Sequence, residues 1–461
     1  MNNDVLIKDI LFNDKLVQIS NDKDHVGNYV SIIVGRNGVG KSRLLKHISI
    51  LSPSVQFSKK TICISNGMFN KFPSFFERDE RLYNDLYRNG YRNLCLSEVY
   101  ADVIPFRRNV VDFVNNRLIR SLYKDDYTIH STLSIIREFL ACDLITIKLA
   151  LCDDLKIFNK NEIVFNPDNI AQSLFFQNRN RFRDVSIEES QEIYENIVSF
   201  VIESGYVDAL LQDKHSDPWP DKEVLHAEFY FSMRKNTIPL SFNCSDYTLD
   251  AAGEKLRASI LFLNEYNLLN IKEVFLHKDT NEININDLSS GELSVLLTIL
   301  NINGEIEDGS LVLIDEPELS LHPRWQSEII PTIMKSFEKV KGCHFIIATH
   351  SPLVASSIPE TNSSVVLLDF DEGKESVIIS GKEIKGRSSD SQLFNILNFP
   401  GEHNEYLMRI LMTFIVRLTN GDSLSTAEIN FISKVEELIV TSGTDDRDPV
   451  VHLLQQAKAL L

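Results

Sequence analysis

An apolar strand that runs directly into a glycine-rich turn constrains the fold of this chain more than any other feature. Residues 29–34 read YVSIIV and predict a buried strand, and Leu44, Leu45 and Ile48 indicate a helix just after the turn. The turn consists of Gly35, Arg36, Asn37, Gly38, Val39, Gly40, Lys41 and Ser42. This is G-x-x-x-x-G-K-S between a strand and a helix, the context in which backbone N–H groups surround a β-phosphate, the lysine reaches β- and γ-phosphate oxygens, and the serine binds Mg²⁺. The sequence therefore predicts a nucleotide site at residues 35–42.

A second apolar stretch ends in two adjacent carboxylates. Residues 310–316 read SLVLIDE, which is how a fully buried parallel strand ends at the carboxyl edge of a sheet, where ligands bind. We expect Asp315 to hold Mg²⁺ through its water shell and Glu316 to polarise an attacking water. Both roles need a nucleotide, so the expected ligands are ATP and Mg²⁺.

Two further motifs point to the same ligand. Residues 288–292 read LSSGE before an apolar helical pattern, so they offer a hydroxyl and backbone N–H groups to a phosphate at a helix start. The candidate contacts there are Ser289, Ser290, Gly291 and Glu292. The apolar strand 344–348 ends at Thr349-His350-Ser351. An imidazole at a strand's carboxyl end lies where phosphate chemistry occurs, and a structural histidine is the alternative for His350.

The four motifs, in this order, resemble an ABC-type ATPase head, similar to the structural-maintenance-of-chromosomes and RecF ATPases. The resemblance implies that two heads dimerise head to tail, so that Ser289 and Gly291 contact a γ-phosphate of the other head. It also implies that His350 senses the γ-phosphate within its own head. The motif ends in Glu292, where transporters usually carry Gln.

The sequences of residues 315–323, DEPELSLHP, and 348–352, ATHSP, are similar to those of prokaryotic overcoming-lysogenization-defect ATPases. Lys71-Phe-Pro73 and Tyr87-Arg-Asn-Gly90 resemble the ATPase subunits of Septu anti-phage systems, the PtuA family. This resemblance implies a cytoplasmic, oligomeric, slow or regulated ATPase that senses infection and controls a separate HNH nuclease, the PtuB type. The chain itself shows no Toprim-like acidic cluster and no HNH pattern.

The fold class expected from these motifs is α/β: a P-loop ATPase head with a mixed sheet flanked by helices, a mostly helical insertion and a helical tail. The expected division is 1–106 and 224–387 for the head, 107–223 for the insertion and 388–461 for the tail. Apolar spacing predicts helices over 110–122, 133–151 and 187–202, and alternation predicts strands at 226–232 and 273–277 that return to the head's sheet.

Charge and composition bound the alternatives. A formal net charge of −18 argues against indiscriminate nucleic-acid binding, the six scattered cysteines suit a reducing cytoplasm, and no apolar run is long enough to span a bilayer. Two other functions stay open. The first is a RecF-like repair ATPase that contacts DNA through arginine clusters at 107–120 and 179–183. The second is an oligomeric scaffold that nucleotide stabilises without turnover.

Overall fold

The architecture comes from a computed structural model of the chain. It describes residues 5–21, 27–35, 38–65, 67, 71–74, 80–95, 118–119, 121–123, 125–151, 192–193, 196, 200, 237–265, 268–279, 281–319, 321–368, 376–384, 388–395, 400–401, 403–442, 445 and 447–461. Contacts divide the chain into two compact units, one of residues 1–101 with 305–461 and one of residues 102–304. The domain boundaries expected above stay a prediction.

The first unit is built on a seven-stranded sheet. Its strands are Tyr29–Val34 (β3), Thr61–Ser65 (β4), Tyr91–Asn93 (β5), Leu311–Asp315 (β11), His344–Ala348 (β12), Ser363–Leu367 (β13) and Val377–Ser380 (β14). Their order is β14-β13-β3-β12-β11-β4-β5, and every pairing is parallel except that of β13 with β14. Every residue of β3, β4, β11 and β12 is buried, which explains their unbroken apolar runs. The expected mixed sheet is confirmed.

The register brings the carboxyl ends of three strands to one edge of this sheet. Asp315 of β11 lies opposite Ala348 of β12, and Ala348 lies opposite Ile33 of β3. The loops that follow these strands are therefore the glycine-rich turn, the paired carboxylates and the segment with His350. The strand order alone thus gathers motifs that are about 300 residues apart in sequence.

Helices connect these strands, and a hairpin precedes them. The hairpin pairs Asp9–Phe12 (β1) with Lys15–Gln18 (β2). The helices of this part are Lys41–Ser54, Glu80–Arg88, Pro323–Ser336, Pro352–Ser356 and Gly381–Ile384. Residues of the hairpin, of helix Lys41–Ser54 and of β3, β4, β11 and β12 share one apolar core.

The tail is helical, as expected. Its helices are Ser389–Asn395, Glu405–Thr419, Thr426–Ser442 and Pro449–Leu460. They bury a core of their own, formed by Phe394, Leu407, Leu411, Phe414, Ile432, Val435, Leu438, Ile439, Val450, Val451, Leu454 and Ala457. The final helix is therefore a packed part of the tail.

The second unit contains an antiparallel sheet of five strands in the order β10-β9-β6-β7-β8. The strands are Leu144–Leu151 (β6), Ile238–Asn243 (β7), Thr248–Leu249 (β8), Leu269–Lys278 (β9) and Asn281–Asn284 (β10). Its described helices are Asp126–Leu140, Ala251–Glu265, the short 3-10 turn Ile285–Asp287 and Ser290–Glu305, whose last residue belongs to the first unit.

Two expectations about this region are corrected. The helix expected over 133–151 stops at Leu140, because Ala141 adopts a left-handed conformation with φ of 51°, and residues 144–151 form a strand. Their sequence, LITIKLAL, suits either element by periodicity, and pairing with β7 and β9 decides it. The strand at 273–277 lies in this separate sheet. The strand expected at 226–232, most of the helices expected at 110–122 and 187–202, and the arginine clusters lie outside the described residues.

Within the described residues, no helix combines the length and apolar character needed to cross a bilayer. The cysteines of this part, Cys63, Cys95, Cys142, Cys244 and Cys343, are buried thiols.

Candidate nucleotide site

The glycine-rich turn has the backbone that its sequence requires. A Cβ on Gly35 would lie 2.5 Å from the carbonyl oxygen of Leu368, so this close approach excludes any side chain. Gly40 has a φ of 111°, a conformation that side chains rarely adopt. Gly38 and Val39 lie between them, whereas Arg36 and Asn37 fall outside the described residues.

Helix Lys41–Ser54 begins at Gly40 without a side-chain cap, and its first turn has no acidic residue. The positive end of the helix dipole and its N–H groups are thus not offset by the protein's own carboxylates at this turn. Such a helix start favours an anion such as a phosphate group.

Lys41 is a buried cation at this edge, 4% exposed. Its Nζ donates to the carbonyl oxygen of Gly35 at 2.9 Å and faces the imidazole of His350, 3.0 Å from Nδ1 and 2.9 Å from Nε2. Burial lowers the pKa of Lys41, against the charges of Glu316, Asp315 and Glu318, which raise it. An ammonium group at this edge of the sheet is a suitable partner for phosphate oxygens.

Ser42 and Asp315 bring two oxygen donors together. The hydroxyl of Ser42 donates to Oδ1 of Asp315 at 3.1 Å. Burial raises the pKa of Asp315 to about 6, although the bond from Ser42 lowers it, so this carboxylate lies where a cation would stabilise its charge. The described residues contain no group of three His, Cys, Asp or Glu side chains that could hold a metal ion. One carboxylate, one hydroxyl, waters and substrate phosphates are the ligand set that Mg²⁺ uses, so these residues fit Mg²⁺.

Glu316 occupies a left-handed backbone conformation, with φ of 51°. Its N–H donates to the carbonyl oxygen of Ala348 at 2.9 Å, and its Oε1 lies 2.9 Å from Nε2 of His350. Burial raises the pKa of Glu316, but the interactions with His350, Glu318 and Lys41 outweigh it, so the pKa is lowered overall. A carboxylate that stays ionised can accept a hydrogen bond from a water molecule.

Glu318 also belongs to this site, although its role is not evident from the sequence. Its Oε1 accepts hydrogen bonds from the Thr349 hydroxyl at 2.6 Å and from the backbone N–H groups of His350 at 2.7 Å and Ser351 at 3.1 Å. Burial and the charge of Glu316 raise the pKa of Glu318 to about 7. A third acidic residue two positions after Glu316 was the available signal, but its target could not be read from the sequence.

Ser289 and Glu292 have a local structural role at the start of helix Ser290–Glu305. The N–H and hydroxyl of Ser289 donate to Oε2 of Glu292 at 3.0 and 2.7 Å, and the N–H of Glu292 donates back to the serine oxygen at 3.3 Å. This reciprocal pattern is a capping box. Ser290 is exposed and Gly291 is buried.

The structure thus brings five of the expected site residues to one edge of the first unit: Lys41, Ser42, Asp315, Glu316 and His350. The segment from Ser289 to Glu292 belongs to the second unit. Its expected contact with a nucleotide of another copy stays a prediction.

A family model described as "AAA domain, putative AbiEii toxin, Type IV TA system" matches residues 146–356. The matched range includes Ser289–Glu292, Asp315, Glu316 and His350, whereas the glycine-rich turn precedes it.

Curated relatives match shorter parts of the chain. The chain is 36% identical to the Retron Ec83 probable ATPase of Escherichia coli over 101 residues, which are 20% of this chain and 18% of that protein. It is 26% identical to the Retron Vc95 probable ATPase of Vibrio cholerae over 167 residues, 33% of this chain and 32% of that protein. It is 28% identical to the Septu protein PtuA of Bacillus mycoides over 159 residues, 32% of this chain and 21% of that protein. The chain therefore spans at most about a third of the length of these relatives.

Proposed function

From the AAA ATPase domain that this chain carries, with its P-loop ATPase fold, we propose that the protein binds and hydrolyses ATP and regulates a partner nuclease in anti-phage defence. The observation that carries the ATPase part is the meeting of Lys41, Ser42, Asp315, Glu316 and His350 at the carboxyl edge of one parallel sheet. Cation, hydroxyl, two carboxylates and imidazole are the groups that phosphoryl transfer to water needs.

Each residue has a distinct task in this proposal. The ammonium of Lys41 binds β- and γ-phosphate oxygens, and the N–H groups at the start of helix Lys41–Ser54 bind the β-phosphate. Ser42 and Asp315 would hold Mg²⁺, which supplies positive charge to the phosphates when bound. Glu316 accepts a hydrogen bond from the attacking water and orients it. His350, held between Lys41 and Glu316, contacts the γ-phosphate.

The proposed role in anti-phage defence rests on the similarity of this chain to the relatives named above. Two relatives carry the name retron "probable ATPase" and one is the Septu protein PtuA, which supports a role as one component of a defence system. We propose that the nuclease is a separate HNH protein and that ATPase heads dimerise head to tail. The acidic balance, −18 at pH 7, suits a subunit whose partner contacts the nucleic acid.

Phosphate release from ATP by the purified protein, with and without Mg²⁺, tests the catalytic part. We expect Mg²⁺-dependent turnover that Glu316→Gln reduces by roughly 10²-fold or more, because the amide cannot take the water's proton. Glu338→Gln, at an exposed glutamate, is the matched control. ATP binding without turnover in the parent would favour the scaffold function instead.

The regulatory part is tested by purifying the tagged chain together with the products of its neighbouring genes. A small HNH protein that is retained, and whose DNA cleavage changes with ATP, is the expected result. Direct DNA binding by this chain alone, without a retained nuclease, would support the repair function.

A further inference from the structure

One carboxylate oxygen holds the whole loop that carries His350. Oε1 of Glu318 gathers three donors from three successive residues: the Thr349 hydroxyl, the His350 N–H and the Ser351 N–H. The distances of 2.6 and 2.7 Å are those of strong hydrogen bonds. The Ser351 N–H, at 3.1 Å, is shared with the Thr349 hydroxyl oxygen, to which it donates at 2.9 Å. Glu318 comes from the loop after β11, so one loop of the edge fixes the next.

The same loop is held from two more sides. The N–H of Thr349 donates to the carbonyl oxygen of Ile33 at 3.1 Å, which continues the pairing with β3. The hydroxyl of Ser351 donates to Oε1 of Gln326 at 2.7 Å, and Nε2 of Gln326 donates to the carbonyl oxygen of Leu321 at 3.0 Å. Among these contacts, that of Glu318 is the one made to the His350 backbone itself. Its loss would release His350 while leaving the ends of the loop attached.

The surroundings of Glu318 disfavour an ionised carboxylate. In the described part of the chain, its second oxygen, Oε2, is buried without a hydrogen-bond partner. Glu318 also lies near the charge of Glu316, which disfavours a second carboxylate. A buried carboxylate in such surroundings needs a specific explanation, and the contact of Glu318 with the backbone of His350 provides one.

We infer that Glu318 is a positioning residue for ATP hydrolysis, which acts by fixing the His350 loop so that the imidazole stays between Lys41 and Glu316. The inference rests on the proposed function, because His350 must contribute to turnover for its position to matter. Glu318 itself touches neither Lys41 nor the phosphates in this scheme. Its loss should therefore slow the chemical step more than it weakens ATP binding.

The test compares Glu318→Ala, Glu318→Gln, His350→Ala and the double variant Glu318→Ala/His350→Ala, with Glu338→Ala as an exposed control. We expect Glu318→Ala to lower kcat roughly tenfold and to change KM for ATP less than about threefold. Glu318→Gln should restore most of the rate, since its carbonyl oxygen can accept the same three donors. The double variant should be no slower than His350→Ala alone, because both changes remove one contribution. Additive losses, or a kcat of Glu318→Ala equal to that of the parent, would overturn the inference.

A second readout does not depend on turnover. The side-chain ¹H–¹³C resonance of His350, assigned by its absence in His350→Asn, should shift or broaden in Glu318→Ala and return in Glu318→Gln. If Glu318→Ala does not fold, Thr349→Val removes the 2.6 Å donor to Glu318, together with the oxygen that accepts from the Ser351 N–H at 2.9 Å, and should move the same resonance. An unmoved resonance refutes the positioning role. A parent that releases no phosphate refutes the proposed function instead, whatever the resonance does.

Discussion

The Nζ of Lys41 lies 2.9 Å from Nε2 of His350, although 309 residues separate the two in sequence. The same ring nitrogen lies 2.9 Å from Oε1 of Glu316, so one nitrogen of the imidazole is close to both a cation and a carboxylate. The contact exists because β3 and β12 are neighbours in the parallel sheet and both end at the same edge. It places the lysine of the glycine-rich turn and the histidine of a distant loop in one electrostatic group.

Lys41→Ala should weaken ATP binding tenfold or more. Removing a charge-assisted contact costs about 1.5–3 kcal/mol, and every 1.4 kcal/mol is a factor of ten in affinity. Titration calorimetry with ATP and Mg²⁺ measures the change, and Lys59→Ala, at an exposed lysine, is the control. Equal affinities of Lys41→Ala and the parent would contradict the assignment of the phosphate site.

Asp315→Asn should stabilise the protein against unfolding in alkaline buffer without Mg²⁺ or nucleotide. Burial raises the pKa of Asp315 from 3.8 to about 6, so the folded state binds its proton more tightly than the unfolded state. The stability from the protonated form is complete below about pH 3.8 and is lost as the pH rises through about 6. At pH 8 the ionised carboxylate therefore costs stability, on the order of 2–3 kcal/mol, and the amide avoids that cost.

Thermal unfolding of the Asp315→Asn variant at pH 4 and pH 8 checks this. The gain over the parent should be present at pH 8 and nearly absent at pH 4. Asp422→Asn, at an exposed position of the tail, should show no such difference. A destabilised Asp315→Asn variant at pH 8 would mean that the charge of Asp315 is compensated by the surrounding cations.

The buried strands of the first unit were the most predictable part of the fold. The strands expected at 29–34 and 344–348 agree with β3 and β12 residue for residue. A strand that is buried on both faces must be apolar throughout, and a glycine-rich or polar loop marks its end. Its carboxyl end then places the motif residues, so the positions of Lys41, Asp315 and Glu316 followed from the sequence.

Features that depend on tertiary partners were not predictable. Residues 144–151 alternate weakly, and their pairing with β7 and β9 was needed to distinguish a strand from a helix. The role of Glu318 depends on a turn that sets Glu316 at φ of 51° and on the neighbouring loop at Thr349. The S-x-x-E pattern of Ser289 and Glu292 fits a capping box as well as a nucleotide-binding signature, so the sequence alone does not distinguish the two roles.

Ser289→Arg should bind ATP at its own Lys41 site and yet show no turnover, if Ser289 acts on the nucleotide of a second copy. Mixing this variant with Lys41→Ala should restore activity that neither variant has alone. One heterodimer site would then combine an intact Lys41 with an intact Ser289. Phosphate release from the mixture, with heterodimers shown by differently tagged chains, is the measurement.

The capping box requires a control for this experiment, because Ser289→Arg also breaks the hydrogen bonds to Glu292. Glu292→Ala breaks the same box without adding a bulky cation, at a cost of about 0.5–2 kcal/mol in helix stability. If Glu292→Ala loses turnover as fully as Ser289→Arg, helix fraying explains both. A heterodimer mixture that recovers nothing would count against a shared site.

The tail should provide a contact surface for another subunit or for the nuclease. Because its final helix is packed in the tail's own core, this surface is expected on another helix of the tail. Val450, Val451, Leu454 and Ala457 are buried in the tail's own core, so deleting residues 445–461 would expose that core as well as any partner surface. Point substitutions on helix Glu405–Thr419 can alter an exposed surface without exposing that core. Met412 and Val416, one helical turn apart, are 54% and 57% exposed.

Met412→Glu combined with Val416→Glu should therefore leave folding and ATP binding unchanged while reducing oligomer size or nuclease retention. A charge on an exposed apolar face disrupts an interface, whereas it is tolerated in water. Thr413→Glu adds a charge at an exposed polar position beside this face and should have no effect. Gel filtration with light scattering, at one protein concentration and with ATP present, compares the three proteins. Full assembly of the double variant would show that Met412 and Val416 lie outside the interface.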